Sequence, residues 1–233
     1  MPQTTTCSFF KVKGLSNKWW AFKQMQLSLD DLKNVSGLTF YKLLGSGAKT
    51  GFSVVPNFGT YVLFCVWESE EIANNFFREN AFFKTYQKKS AGLFTVYLHA
   101  AKAQGTWGGV QPFSINSKLA SDKPVLVLTR ARIHFKKLFS FWSKVRKVSR
   151  SLDDYDGVVL SIGVGEWPLI QQATISIWRT EAEMLDYAYK NEIHKEVVIL
   201  SRKLKWYKEE MFARFVPYKS EGLWEGENLD HLL

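Results

Sequence analysis

Cysteine is scarce: only Cys7 and Cys65 occur in 233 residues. They are far apart, both sit in strand-like runs, and no C-x-x-C or Cys/His cluster accompanies them. A disulfide framework and a zinc site are therefore excluded in favour of reduced, buried thiols. Long hydrophobic runs are missing too, since no stretch reaches the roughly 18 to 20 apolar residues that a membrane-crossing helix needs. The first residues, MPQTTTCSFFKVKG, lack the basic start, apolar stretch and cleavage site of a secretory signal, so a cytoplasmic protein is expected. Acid is outnumbered, with 22 Asp and Glu against 31 Lys and Arg for a net charge of +9. Such a balance raises nucleic acid as a partner. The bases are spread out, however, and their one concentration, Arg130 to Arg150, has the spacing of an amphipathic helix with a solvated charged face. No nucleic-acid partner is expected, whereas the same charge favours peripheral contact with anionic lipid head groups. H-E-x-x-H, P-loop, dinucleotide-fingerprint and nucleophile-elbow motifs are absent; GSGAKTGF from Gly45 lacks the P-loop Lys-Ser/Thr ending.

What is present is a repeat. VWESEEIANNFFRENAFFKTY from Val66 matches IWRTEAEMLDYAYKNEIHKEV from Ile177 at an offset of 111 residues (177 minus 66). Trp67 then matches Trp178, Ser69 Thr180, Glu70 Glu181, Phe76 Tyr187, Asn80 Asn191 and Lys84 Lys195. Each segment follows an apolar strand-like run, and Ser69 and Thr180 stand where an N-cap is wanted, with acids behind them. The spacing predicts strand, helix, strand, strand, helix, strand at Thr5–Val12, Asn17–Lys33, Leu38–Leu44, Thr60–Trp67, Ser69–Lys89 and Leu93–Ala100. It predicts the same order again at Pro124–Ala131, Phe135–Arg150, Gly157–Gly163, Ala173–Trp178, Thr180–Lys203 and Glu209–Val216. The expected fold class is α+β: tandem duplicated ferredoxin-like βαββαβ repeats forming an intramolecular dimeric α/β barrel. The expected halves are residues 1–101 and 124–233, joined by a linker at 102–123.

Chemistry that enters only one copy of a duplicate is a candidate for function. His194 is such a residue, because the 111 offset sets it opposite Phe83 on a helix face that looks at the sheet. A neutral imidazole there can ligate haem iron; a lone histidine on such a face can equally be a hydrogen-bonded boundary residue. His99, His134 and His231 read as structural or surface residues.

Several motifs together resemble the spheroidene monooxygenase family, haem-containing oxygenases of carotenoid biosynthesis, over nearly the whole chain. They are WAFKQM at Trp20–Met25, FYKLLGSG at Phe40–Gly47, GF and PN at Gly51, Phe52, Pro56 and Asn57, IGVGEWPL at Ile162–Leu169, SIW at Ser176–Trp178 and EEMFARF at Glu209–Phe215. The resemblance implies haem b, molecular oxygen, a ferredoxin-like electron donor and a hydrophobic, carotenoid-like substrate that receives a hydroxyl or oxo group. It implies His194 as the axial ligand. Lys42 and Ser46 lie in a family-like motif and are expected to meet a haem propionate, unless Lys42 is an exposed strand residue. Arg214 is expected to reach into the barrel toward propionate or bound oxygen, with pairing to Glu209 or Glu210 as the alternative. Trp178 recurs as Trp67, which favours shared core, although an indole lining a haem face fits both. The family fold leaves open a dehydratase or peroxidase-like haem enzyme, a cofactor-free binding protein, and assembly as a homo-oligomer.

Overall fold

The computed structural model describes residues 2–48, 55–153, 155–167, 169–224 and 226, without the side chains of 29, 146–151 and 153. Gly51, Phe52, Pro168 and His231 lie outside the described residues. The first half runs β1 (Thr4–Val12), α1 (Leu15–Leu27), α2 (Leu29–Lys33), β2 (Leu38–Gly47), β3 (Pro56–Trp67), α3 (Glu70–Glu79), α4 (Ala81–Lys89) and β4 (Ser90–Gly105). The second runs β5 (Val125–Ile133), a 3-10 turn (Phe135–Lys137), α5 (Leu138–Asp153), β6 (Val158–Trp167), β7 (Gln171–Trp178), α6 (Glu181–Lys190), α7 (Glu192–Leu204) and β8 (Tyr207–Gly222). Strand, helix, strand, strand, helix, strand is thus the order twice.

All eight strands form one antiparallel sheet that closes on itself in the order β1-β3-β2-β6-β7-β5-β8-β4. Two seams join the halves. β4 and β8 pair along most of their length, from Phe94↔Gly222 to Gly105↔Met211. β2 and β6 pair only at Gly45↔Gly165 and Ser46↔Val164. Side chains alternate along each strand, so one set points inward and the other outward to the helices. The inward set, including Phe9, Phe64, Val96, Leu128, Ile175 and Phe215, fills the interior as one apolar cluster.

Cys7 belongs to that interior and Cys65 to the outer layer, so the two buried thiols face opposite sides of the sheet and stay free. Ser69 and Thr180 cap their helices as expected, accepting from the Ile72 and Glu183 backbone N–H. Both long helices expected to follow those caps are broken at the equivalent asparagine. Asn80 accepts from the N–H of Phe82 and Phe83, and Asn191 from that of His194. An Asn side chain that offers an N-cap to a second helix competes with continuing the first. The helix expected at Asn17–Lys33 is likewise divided, at Ser28. The segment expected as a linker begins as strand, since β4 continues to Gly105, and Trp107 and Phe113 are buried in the interior cluster.

Candidate functional site

The two halves present very different surfaces beneath their helices. In the first, Phe10, Tyr41, Leu43, Tyr61, Leu63, Trp67 and Tyr97 point outward and meet Phe76, Phe82, Phe83 and Tyr86 in one continuous cluster. Strand registers give the equivalents. Phe10 and Ser8 face Tyr61 and Leu63 on β3, as Ala131 and Thr129 face Gln172 and Thr174 on β7. Tyr41 and Leu43 face Cys65 and Leu63, as Ser161 and Gly163 face Ser176 and Thr174. Five bulky residues of the first half, Phe10, Tyr41, Leu43, Leu63 and Phe83, are therefore Ala131, Ser161, Gly163, Thr174 and His194 in the second.

The loss of bulk opens the layer. Thr6, Ser8 and Leu63 are at most 1% exposed, whereas their equivalents Val127, Thr129 and Thr174 are only half-buried. Among the described residues the outer core of this half falls into one cluster around Phe141, Trp142 and Trp206 and another around Val125, Trp178, Met184 and Tyr187. Among the described residues, the small side chains lie on the sheet face outside both clusters. This thinned face, made of Ala131, Gly163 and Ser161, which are buried, and Thr129 and Thr174, which are half-buried, is a candidate slot between sheet and helices.

His194 stands at the third residue of α7, fixed by the Asn191 cap 3.0 Å from its own backbone N–H. Its ring lies 5.5 Å from that of Tyr187, as Phe83 lies 5.8 Å from the equivalent Phe76. Phe83 also packs 5.8 Å from Phe10, at whose equivalent position Ala131 has no ring. Nδ1 is 3.0 Å from the Ala188 carbonyl oxygen, an acceptor, so Nδ1 carries the proton and donates it there. Nε2 then carries the free lone pair, and it has no partner among the described residues. Burial depresses the imidazole pKa from 6.5, outweighing the opposite effect of the Ala188 bond, so the ring is neutral near pH 7.

Arg214 does not reach into the interior. Met211, Ala213 and Phe215 take the inward positions of β8, and strand alternation turns Arg214 outward onto the sheet face of the slot. Its guanidinium lies 3.7 Å from Glu181, not Glu209 or Glu210. Ser161 contributes a buried hydroxyl with no hydrogen-bond partner among the described residues. Trp178 packs against Tyr155 and Tyr187 and donates from Nε1 to Ser176, much as Trp67 donates to Thr6, so its indole serves both halves as core. His194, Arg214 and Trp178 thus share the outer layer of the second half.

Lys42 and Ser46 do not join them, because both occupy inward positions of β2. Ser46 donates to the Thr60 carbonyl 2.9 Å away. Lys42 is 2.7 Å from Glu166 and belongs to an interior ion cluster that sequence reasoning missed. Arg130, 3% exposed, pairs with Glu209 and lies 3.5 Å from Glu166. Trp107 Nε1 donates to Glu166 at 2.7 Å, and Thr106 and the Gly109 N–H donate to Glu209. Burial pushes the Glu209 carboxyl up, but the bonds from Arg130 and Gly109 and the Arg130 charge outweigh it, leaving the group below its usual value. The cluster ties β2 to β6 beside their short seam. Opposite charges at inward positions of apolar strands were the available signal.

Two strand-helix-strand-strand-helix-strand units closed into one eight-stranded antiparallel sheet, one with a bulky outer face and the other with small residues at the equivalent positions, define a mixed α+β protein of the ferredoxin-like class. An aldoxime dehydratase structure shares this fold with a TM-score of 0.62 at 9% identity, over 93% of this chain and 82% of that one. No established family profile matches the chain. Among curated relatives, the spheroidene monooxygenase of Rhodobacter capsulatus is 34% identical over 223 residues, 95% of this chain and 92% of the relative. That of Cereibacter sphaeroides is 32% identical over 97% of this chain and 70% of its own length. The chain belongs to the spheroidene monooxygenase family, and so to the oxidoreductases. No helix among the described residues is long and apolar enough to cross a membrane.

Proposed function

We propose that the slot of the second half holds a haem b on His194 and that the chain oxygenates a long, apolar, carotenoid-like substrate, with electrons from a ferredoxin-like donor. The closed sheet is read with it as an intramolecular dimeric α/β barrel that arose by duplication. The observation that carries the proposal is the replacement of Phe10, Leu43, Leu63 and Phe83 by Ala131, Gly163, Thr174 and His194. Bulk is removed where a flat group would lie, and a neutral imidazole is supplied beside it.

The residues present fit such a group. An Nδ1–H held by a backbone carbonyl fixes the tautomer and orientation of an imidazole and directs Nε2 to a metal, as partners of metal-bound histidines do. When bound, haem supplies oxygen activation and one-electron chemistry. The rest falls to the protein. Asn191 holds the start of α7, and so His194, in place. Arg214 brings a cation to the slot, held by Glu181, where it can meet a carboxylate. The Ser161 hydroxyl is left free to donate to a polar ligand atom. Half-exposed Ile193 and Phe212 offer apolar contact to a polyene.

Absorption spectra of the protein expressed with haem supply test this, recorded oxidised and dithionite-reduced for the native chain and for His194→Ala. A Soret band in the native protein that shifts or disappears in the variant is the expected result. A native protein that stays colourless on haem titration rules the reading out.

A further inference from the structure

Three connections meet at one end of the second half: the β5–α5 turn, the β6–β7 hairpin and the α7–β8 loop. Backbone bonds knit them together, from Ile133 N–H to the Ile170 carbonyl and from His134 N–H to the Trp206 carbonyl. The Trp142 indole donates to the Leu169 carbonyl. At this end Phe135 is 78% exposed, Phe139 89% and Trp167 65%, and none makes a ring contact among the described residues. Leu169 is held out at the hairpin tip with φ 68°, the left-handed conformation that a branched apolar residue adopts only at a cost. Arg132, Lys136, Lys137, Lys205 and Lys208 line one open basin beside Phe135. The stretches 132–139, 167–171 and 205–208 contain no acid.

Large apolar side chains projecting singly from a rim of lysines that have no ion-pair partner among the described residues suit an interface that is oily below and anionic above. We propose that this end of the second half docks onto an anionic lipid bilayer, with Phe135, Phe139, Trp167 and Leu169 entering the acyl boundary and the lysines meeting lipid phosphates. Charge complementarity and the projecting rings select a bilayer over a polyanion alone, which would need only the lysines. The first half also exposes Trp19 and Phe22, but Trp19 stacks on Phe22 at 5.8 Å and Phe22 meets Phe58 edge-on at 5.5 Å, so each ring spends part of its surface on a neighbour instead of projecting singly. Docking through the second-half end would bring the slotted half to the phase in which a long apolar substrate dissolves. The proposal rests on this surface and not on the haem reading, and its test needs no haem.

Co-sedimentation of the full chain with vesicles of phosphatidylcholine, alone or mixed with phosphatidylglycerol, tests it. The native protein is expected to sediment with the mixed vesicles and not with the neutral ones. The double variant Phe135→Ser/Phe139→Ser is expected to lose about tenfold or more in partitioning, and Lys136→Gln/Lys137→Gln to bind weakly, both at unchanged melting temperature. A native protein left in the supernatant overturns the proposal. So does native-like binding by the Phe double variant, which would mean simple attraction to polyanions, nucleic acid included. Loss of binding in Trp19→Ser/Phe22→Ser instead would place docking on the other half and overturn it equally.

Discussion

The two halves carry the same elements in the same order, yet one is packed as a solid and the other is not. Beneath the helices of the first half, Phe10, Phe76, Phe77, Phe83 and Tyr86 touch ring to ring. Beneath those of the second, small and hydroxyl residues leave Val127, Thr129 and Thr174 half-open to solvent. A single ferredoxin-like unit needs its outer face filled to be stable. A unit that shares a closed interior with a well-packed neighbour can leave part of that face open, because the common core and the long β4–β8 seam still hold it. The difference teaches that stability and site are divided between the halves.

The largest test of that division uses one position in its two settings. Phe83→Ala removes a ring enclosed on all sides and should cost about 3–5 kcal/mol. His194→Ala, in a half-buried place where Tyr187 makes the one ring contact among the described residues, should cost under about 1.5 kcal/mol. Urea unfolding of both variants decides it, and equal losses would mean that the slot is as tightly packed as the first half.

The helix breaks sharpen the comparison next. Asn80→Ala strips the cap from two backbone N–H groups and Asn191→Ala from one. Each should lose about 1 kcal/mol, Asn80→Ala the more. Only Asn191→Ala should also loosen His194, read as a change in the imidazole NMR signals.

The smallest effect is on pH. The folded protein holds the His194 pKa below 6.5. Below that value the unfolded chain therefore binds the proton first, so this residue's contribution to stability is constant above pH 6.5 and falls away as pH drops toward the native pKa. His194→Phe should remove that component of the acid-side slope and leave the neutral-pH stability within about 1 kcal/mol. An unchanged slope would show that the imidazole titrates as it does in water.

Much of this was legible in the sequence. The 111-residue offset gives the order of elements, the two serine-type caps and the opposition of Phe83 and His194. The emptied face was not legible, because the spacing between equivalents is 121 on β1 and β5 (10 to 131) but 111 on β3 and β7 (63 to 174). A single offset cannot align all the strands; only the registers do. The orientation of Arg214 was hidden by its neighbours, since Phe212 and Phe215 are both apolar and either could mark the inward side of β8. Lys42 and Ser46 were placed on the site by motif, and strand parity turns them to the interior. The second cap at Asn191 was readable in principle, as an Asn three residues before His194 within an otherwise continuous helical pattern.

The central claim is that the small-residue face of the second half is the binding slot. It is tested most directly by refilling that face while His194 stays in place. Haem titration of Ala131→Phe/Gly163→Leu/Thr174→Leu, followed at the Soret band beside the native protein, should show uptake by the native chain and none by the variant, whose melting temperature should not fall. Native-like haem uptake by the refilled protein would contradict the account.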